Sequence, residues 1–368
     1  MPERRGRTDL KRVGRVLGAV VLATFLCGCT TLGYYRQAVS GHLDVMNRRT
    51  PIDGLIGSQD TTPELKRKLS LVVAAVEFAM HELKLPNNGS YRSYADLERD
   101  YVVWNVFAAP ELSLDPVPSC FLFVGCLSYR GFFDEAQALE FGQSLRATGN
   151  DVFVGGVAAY STLGWFDDPV LNTMLVWDDV RIVKVIFHEL AHQRVYAEDD
   201  TVFNESFATT VAQIGVERWL SRDDRVRRMH FESEDRESQF FDLLLTYRTK
   251  LEAAYASTEP DEAKRAQKKQ LFDELSARYR ELRKTWNGYD GYDEWMGTAL
   301  NNAKLASIAA YHDYVPAFRS ILNRMNHDLE RFYLAVEALA SLSIEDRKRC
   351  LGIANGEIRC PDEIFDGR

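Results

Sequence analysis

The chain has 368 residues, of which 46% are hydrophobic and 27% charged, and its formal net charge is −9. A chain of this length can bury a large core, and its negative charge argues against nucleic acid as a partner, because the phosphates would be repelled. After the first thirty residues no apolar segment reaches the about 18 residues that a membrane-spanning helix needs.

The chain opens with a basic leader carrying Arg4, Arg5, Arg7, Lys11, Arg12 and Arg15. An apolar run from Val16 to Leu26 follows, too short for a stable transmembrane helix. It ends in Leu26-Cys27-Gly28-Cys29. An aliphatic residue, small residues and then a cysteine, in that order behind such a leader, match the bacterial lipoprotein box. The expectation is a signal peptide over residues 1–28, removed to leave a lipidated Cys29. Thr30, rather than an aspartate, follows that cysteine. A periplasmic protein held by its lipid, with the outer membrane as default destination, is therefore expected. Residues 29–60 read as a lipid-anchored tether with an amphipathic helix.

Thr62-Pro63 signals a helix start, and Leu65, Leu69, Val72, Val73, Val76 and Met80 recur at helical spacing. Pro86-Asn87-Asn88-Gly89 marks its end. From Tyr101 the texture turns to β formers: Tyr101 to Phe107, then Cys120 to Tyr129, then Asp151 to Val157, with a helix predicted over about 134–148. These runs predict a small twisted sheet within residues 90–170.

Beyond Asp178-Asp179 the chain reads as mostly helical, with helices over 181–196 and 204–220. Residues 232–285 predict a long charged hairpin broken near Ser257-Thr258-Glu259-Pro260, its charge a solvated face. Helices over 293–311 and after Pro316 complete the chain. The expected fold class is α+β and predominantly helical.

Of the six cysteines, Cys27 leaves with the leader and Cys29 takes the lipid. Cys120 and Cys126 are close in sequence, as are Cys350 and Cys360. In an oxidising periplasm they predict two short-loop disulfides. Neither pair has the spacing of a zinc knuckle.

The chemistry centres on His188-Glu189-Leu190-Ala191-His192. Histidines four apart on a helix share a face, and two such imidazoles can meet one tetrahedral zinc. Glu189, beside the first histidine, can take a proton from the attacking water. Arg194 stands where such a helix usually has a hydrophobic residue. A zinc site needs a third protein ligand. Glu205, in Asn204-Glu205-Ser206-Phe207-Ala208, begins the next predicted helix and can be aimed back at the histidines. Glu198, Asp199 and Asp200 lie in the connection and are expected to cap that helix or support the ligands.

His188-Glu189-x-x-His192 with the downstream Asn204-Glu205-Ser206-Phe207-Ala208 resembles the gluzincins, most of all the aminopeptidase N group. Twelve residues separate His192 from Glu205, fewer than in thermolysin or aminopeptidase N. Nearly the whole chain after the leader also resembles a bacterial family of predicted lipoprotein aminopeptidases. The stretches that carry this are Trp104 to Leu114, Tyr129 to Phe133, Tyr160 to Phe166, Asn301-Asn302-Ala303 and Tyr314 to Phe318. The resemblance implies a zincin-like catalytic core and an aminopeptidase within residues 61–368, with sheet-containing part 90–170, catalytic helices 179–221, and hairpin and C-terminal helices 225–368. It also implies that an edge strand before the zinc helix holds the substrate backbone. Gly155-Gly156-Val157-Ala158 stands in that order.

The oxyanion of the reaction needs a donor. Tyr311, with His312 beside it, is the first choice, and Tyr160 and Tyr314 are further candidates. Glu111 is one candidate to hold a substrate amine. The expected partners are a peptide and, through the lipid, a membrane. An endopeptidase acting on envelope proteins and a zinc-binding lipoprotein without turnover are the alternatives.

Overall fold

The computed structural model describes residues 32–121, 125–162, 164–220, 224–309, 314–352, 360 and 364, with the backbone alone for 224–231 and 309. Cys29 and the leader lie outside the described residues. The segment expected as a tether is, from 32 onward, built into the body. A first helix, α1 (32–47), buries Val45 and presents Gln37 Oε1 to the backbone N–H of Phe133, 2.9 Å away.

Two three-stranded sheets and a two-stranded hairpin carry the β structure. Strand β1 (Thr50–Pro51) pairs antiparallel with β2 (Ser93–Ala95), which pairs parallel with β8 (Val170–Leu171). In the second sheet β3 (Val103–Pro110) lies between β6 (Arg130–Phe132) and β7 (Asn150–Val157), antiparallel to both. Period-two alternation divides β3. Val106 and Ala108 face a core shared with Ala138 of α4 (Glu135–Ala147), whereas Phe107 and Ala109 meet Ala303 from a late helix. The run expected as one strand from Cys120 to Tyr129 is a hairpin, β4 (Ser119–Phe121) with β5 (Gly125–Leu127). It brings Cys120 and Cys126 to disulfide distance, Cα to Cα 3.9 Å. Cys350 and Cys360 also stand at disulfide distance, 4.5 Å.

Helices make up 61% of the structure, and the class is predominantly helical α+β. After α2 (Ile52–Gly57), α3 (Pro63–His81) starts where Thr62 Oγ1 accepts from the Leu65 N–H. Its buried Leu69, Val72, Ala75, Val76 and Ala79 face the largest core. The short α5 (Asn172–Leu175) leads to α6 (Asp179–His192), which packs on α3 and on α7 (Thr201–Trp219). Gly215 lets α6 and α7 approach: a Cβ there would meet the Phe187 ring at 2.5 Å.

The charged hairpin is α8 (Asp224–Ala256) and α9 (Asp261–Lys284), with its break at 257–260 as expected. Its own core includes Phe240, Leu244, Tyr247, Leu251 and Leu275. Lys184 of α6 binds Glu234 and Glu237 of α8 at 2.9 and 2.7 Å and so fastens the hairpin to the main body. The predicted helix over 293–311 is two, α10 (Asp293–Gly297) and α11 (Asn302–Ala309). Then α12 (Val315–Arg324), α13 (Leu329–Ala340) and α14 (Ile344–Leu351) close the large core. No helix among the described residues is long and apolar enough to cross a membrane.

Candidate metal centre and active site

Helix α6 begins where Asp178 accepts the Arg181 N–H, and it buries Ile182, Val183, Ile186, Phe187, Leu190 and Ala191. That apolar stripe fixes the rotation of the helix. His188 and His192, one turn apart, therefore share the remaining inner face, with ring centroids 4.7 Å apart. The helix stops at His192 rather than running to residue 196.

The connection to α7 is tied down at several points. Asn204 clamps it, accepting the Ala197 N–H at 2.8 Å and donating to the Ala197 carbonyl at 2.7 Å. Asp200 caps α7 at the Phe203 N–H and pairs with Arg347 of α14 at 2.8 Å, both side chains buried. Asp199 accepts the Cys126 N–H of the disulfide hairpin at 2.5 Å. Asp200 therefore caps α7, as expected, whereas Asp199 docks the disulfide hairpin instead. Arg194 is explained by α13, where it pairs with Glu337 and stacks 5.2 Å from the Tyr333 ring.

Glu205 lies in the second turn of α7 and points back to the histidines. Its Oε2 is 3.2 Å from His188 Nε2 and 3.6 Å from His192 Nε2, and the two Nε2 atoms are 3.1 Å apart. A ligand atom from each of the three residues lies within 4.8 Å of the others, so the group could hold a metal ion. Two neutral ring nitrogens and a carboxylate oxygen each offer a lone pair to a cation placed between them. The three separations also suit one tetrahedral ion, whose ligand atoms at about 2.05 Å stand about 3.3 Å apart. Burial works to raise the Glu205 carboxyl, but His192 and His188 overcome it and hold it at about 2. Burial disfavours a charged His192, while Glu205 raises its pKa overall.

The Glu189 carboxyl is buried within electrostatic reach of His188, His192 and Glu205. Burial pushes it up, against the pull of His188, His192 and a hydrogen bond from Ser161. Ser161 stands in the segment that continues β7, and its hydroxyl also lies 3.3 Å from Asp168 Oδ2. Asp168 is itself buried and accepts the Thr162 N–H and the Thr162 hydroxyl, each at 2.8 Å. Burial moves its carboxyl up to about 6 despite those bonds. Tyr91 donates its backbone N–H to the Asp168 carbonyl at 2.6 Å and lies within electrostatic reach of Glu189 and Asp168.

Sequence reasoning did not single out Asp168, Tyr91, Tyr129 or Tyr196, nor the contact of Ser161 with Glu189, and no local spacing marks them. The phenol of Tyr129 is raised by burial and then by Glu205, Tyr196 and Glu189, so it lies within electrostatic reach of the centre. Tyr160 instead turns its hydroxyl to His42 Nδ1, 3.4 Å away. Tyr314 is buried behind α7, its N–H 3.2 Å from Ser206 Oγ. Tyr311 and His312 lie outside the described residues. Glu111 pairs with Arg265 of α9 at 3.0 Å.

Strand β7 lies at an edge of its sheet. Its glycines make room for rings: a Cβ at Gly156 would meet Tyr101 at 2.4 Å, and one at Gly155 would meet Phe153 at 3.0 Å. Val157 pairs with Val103, and the Ala158 carbonyl accepts the Thr173 hydroxyl at 2.5 Å.

Fold and site together define a predominantly helical α+β protein with a buried two-histidine, one-glutamate group able to hold a metal ion. A family model described as "Putative aminopeptidase" matches residues 33–351, and the chain belongs to that family. The family supports a peptidase activity. No curated protein and no solved structure matches the chain.

Proposed function

We propose that the protein is a zinc-dependent aminopeptidase, held by a lipid on Cys29 at the periplasmic face of a bacterial membrane. The observation that carries the enzyme reading is the convergence of His188 Nε2, His192 Nε2 and Glu205 Oε2, with the buried Glu189 carboxyl beside them. A zinc ion held by these three would polarise the scissile carbonyl and ease ionisation of the attacking water. Glu189 takes the proton from that water and returns it to the leaving amine. Its burial suits the role, since a base with a raised pKa is a better proton carrier near neutral pH. The Ser161 hydroxyl, shared between Asp168 and Glu189, helps to hold the rotamer of the base. Tyr129, buried within electrostatic reach of Glu205 and Glu189, joins Tyr311 as a candidate oxyanion donor.

The test combines metal analysis of the purified protein with one peptide offered in two forms, with a free or an acetylated amino terminus. About one zinc per chain and stepwise loss of first residues from the free peptide alone are expected. Internal cleavage of both forms would replace the reading with an endopeptidase. Stoichiometric zinc without turnover of either would replace it with a binding protein. The anchor is tested separately: Cys29→Ser should leave unprocessed precursor, and normal maturation would overturn the lipoprotein assignment.

A further inference from the structure

Among the described residues, helix α1 carries an exposed apolar outer stripe. Leu32, Val39 and Leu43 are 72%, 57% and 51% exposed. Their spacing of seven and then four places them along one side of the helix, with the exposed Arg36 between the first two. The opposite side is fixed to the body by Gln37, by Val45 and by Tyr34, whose ring lies 5.5 Å from that of Phe132.

A second exposed apolar feature adjoins this stripe. In the loop over 164–167, Trp165 is 73% exposed and Phe166 51%. The Phe166 ring is 4.6 Å from that of His42, which stands one turn beyond Val39 on α1. Arg49, just past the helix, donates to the Asp167 carbonyl at 3.2 Å. Stripe and loop therefore belong to one surface carrying five large exposed apolar side chains, with arginines alongside.

We propose that this surface rests on the phospholipid bilayer, with Leu32, Val39, Leu43, Trp165 and Phe166 entering the interface and Arg36 reaching the lipid phosphates. The proposal rests on the reading of Cys29 as the lipidated residue. Only Thr30 and Thr31 separate Cys29 from Leu32. At about 3.5 Å per residue the chain can hold Leu32 no more than about 10 Å from the acylated cysteine, whatever path it takes. An interfacial helix sinks its apolar side about 5–10 Å into the headgroup region, so the same short stretch of chain brings α1 to that depth. Leucine and valine beside tryptophan and phenylalanine, with arginine at the margin, is the composition that partitions there. The loop that presents Trp165 outward turns Ser161 inward to Glu189. The edge of the catalytic region then lies at the lipid surface, where peptides close to the membrane are met first.

The test uses the protein as purified from cells, in vesicles of phosphatidylethanolamine and phosphatidylglycerol with ordinary or brominated acyl chains. Trp165 is the one exposed tryptophan among six. Brominated chains should quench tryptophan emission, and Trp165→Phe should abolish more than about half of that quenching. Val39→Asp with Leu43→Asp should reduce it about twofold while flotation with the vesicles persists through the acyl chains. Equal quenching in the wild type and in Trp165→Phe, in a protein that floats, would overturn the docked face and leave the anchor standing. Mass spectrometry of the amino terminus reads the anchor independently. If Cys29 carries no lipid, the same vesicles are added to the soluble protein. Quenching confined to Trp165 would then still support the face, and its absence, or a response of Trp165 to peptide but not to vesicles, would overturn it.

Discussion

Glu205 and Ser161 both serve the His188–His192 turn of α6, but they reach it by different routes. Glu205 arrives along the chain: α6 ends at His192, the Asn204 clamp closes the connection, and α7 turns its second helical turn back. Ser161 arrives across the fold, on a segment that leaves the edge of the β3 sheet and is held by the buried Asp168. The first route is a local geometry, reproducible wherever two helices meet through a short connection. The second depends on the sheet, β8 and Tyr91 all being in place. A centre of this kind has a metal-holding side set by neighbours in sequence and a base-supporting side set by distant contacts. Damage to the two should leave different signatures.

The largest effect is expected at Glu189. Glu189→Gln should keep its metal and lose about 10²–10⁴-fold in kcat, because glutamine cannot accept the proton. Glu205→Ala should instead lose the metal itself, read by elemental analysis after dialysis. Normal metal content in Glu205→Ala would break the division between the two sides.

Next comes the support of the local route. Arg347→Met leaves the Asp200 carboxylate buried without its partner, and both side chains are under 10% exposed in the intact pair. A loss of about 3–5 kcal/mol is expected in chemical denaturation. A loss below about 1 kcal/mol would show that α14 is not what holds the start of α7.

On the distant side, Ser161→Ala should lower kcat about tenfold with metal content and KM nearly unchanged, since only the orientation of the base is lost. Restoration by Ser161→Thr would separate a hydrogen-bond role from simple packing.

The smallest effect is in pH dependence. Asp168 has its carboxyl raised by burial from 3.8 to about 6, so the folded state binds its proton more tightly than the unfolded chain does. Its contribution to stability is full below about pH 3.8 and is lost as pH rises through about 6. The stability advantage of wild type over Asp168→Ala should therefore shrink between pH 4 and pH 7. An advantage that grows over that window would contradict the assignment.

The hairpin α8–α9 shows where periodicity reads well and where it stops. Its break at 257–260 is marked by Pro260, and the charge along it pairs within turns, as in Lys269 with Asp273 at 2.7 Å. The start of α8 at Asp224, before the predicted 232, follows no apolar period in that stretch. The helix expected over 293–311 is divided at 298–301, and the buried Lys304 of α11 reaches back to Trp295 and Thr298 at the end of α10. That contact joins the two segments across the break, a tertiary relation that helical spacing does not report.

What the sequence determined by itself is the chemistry that local spacing can carry. A four-residue interval on a helix puts His188 and His192 on one face, and an amphipathic stripe turns that face inward. A short connection leaves Glu205 few places to go. The run of β formers in β3 and the helix start at Thr62 likewise need only their neighbours. Tertiary structure alone decided that Ser161, Asp168, Tyr91 and Tyr129 surround the centre, that Tyr160 turns to His42 instead, and that Glu111 is occupied by Arg265. Such contacts join residues tens to hundreds of positions apart, where the chain's own geometry imposes no fixed relation. They arise only when the sheet, the helices and the hairpin bury their apolar faces together.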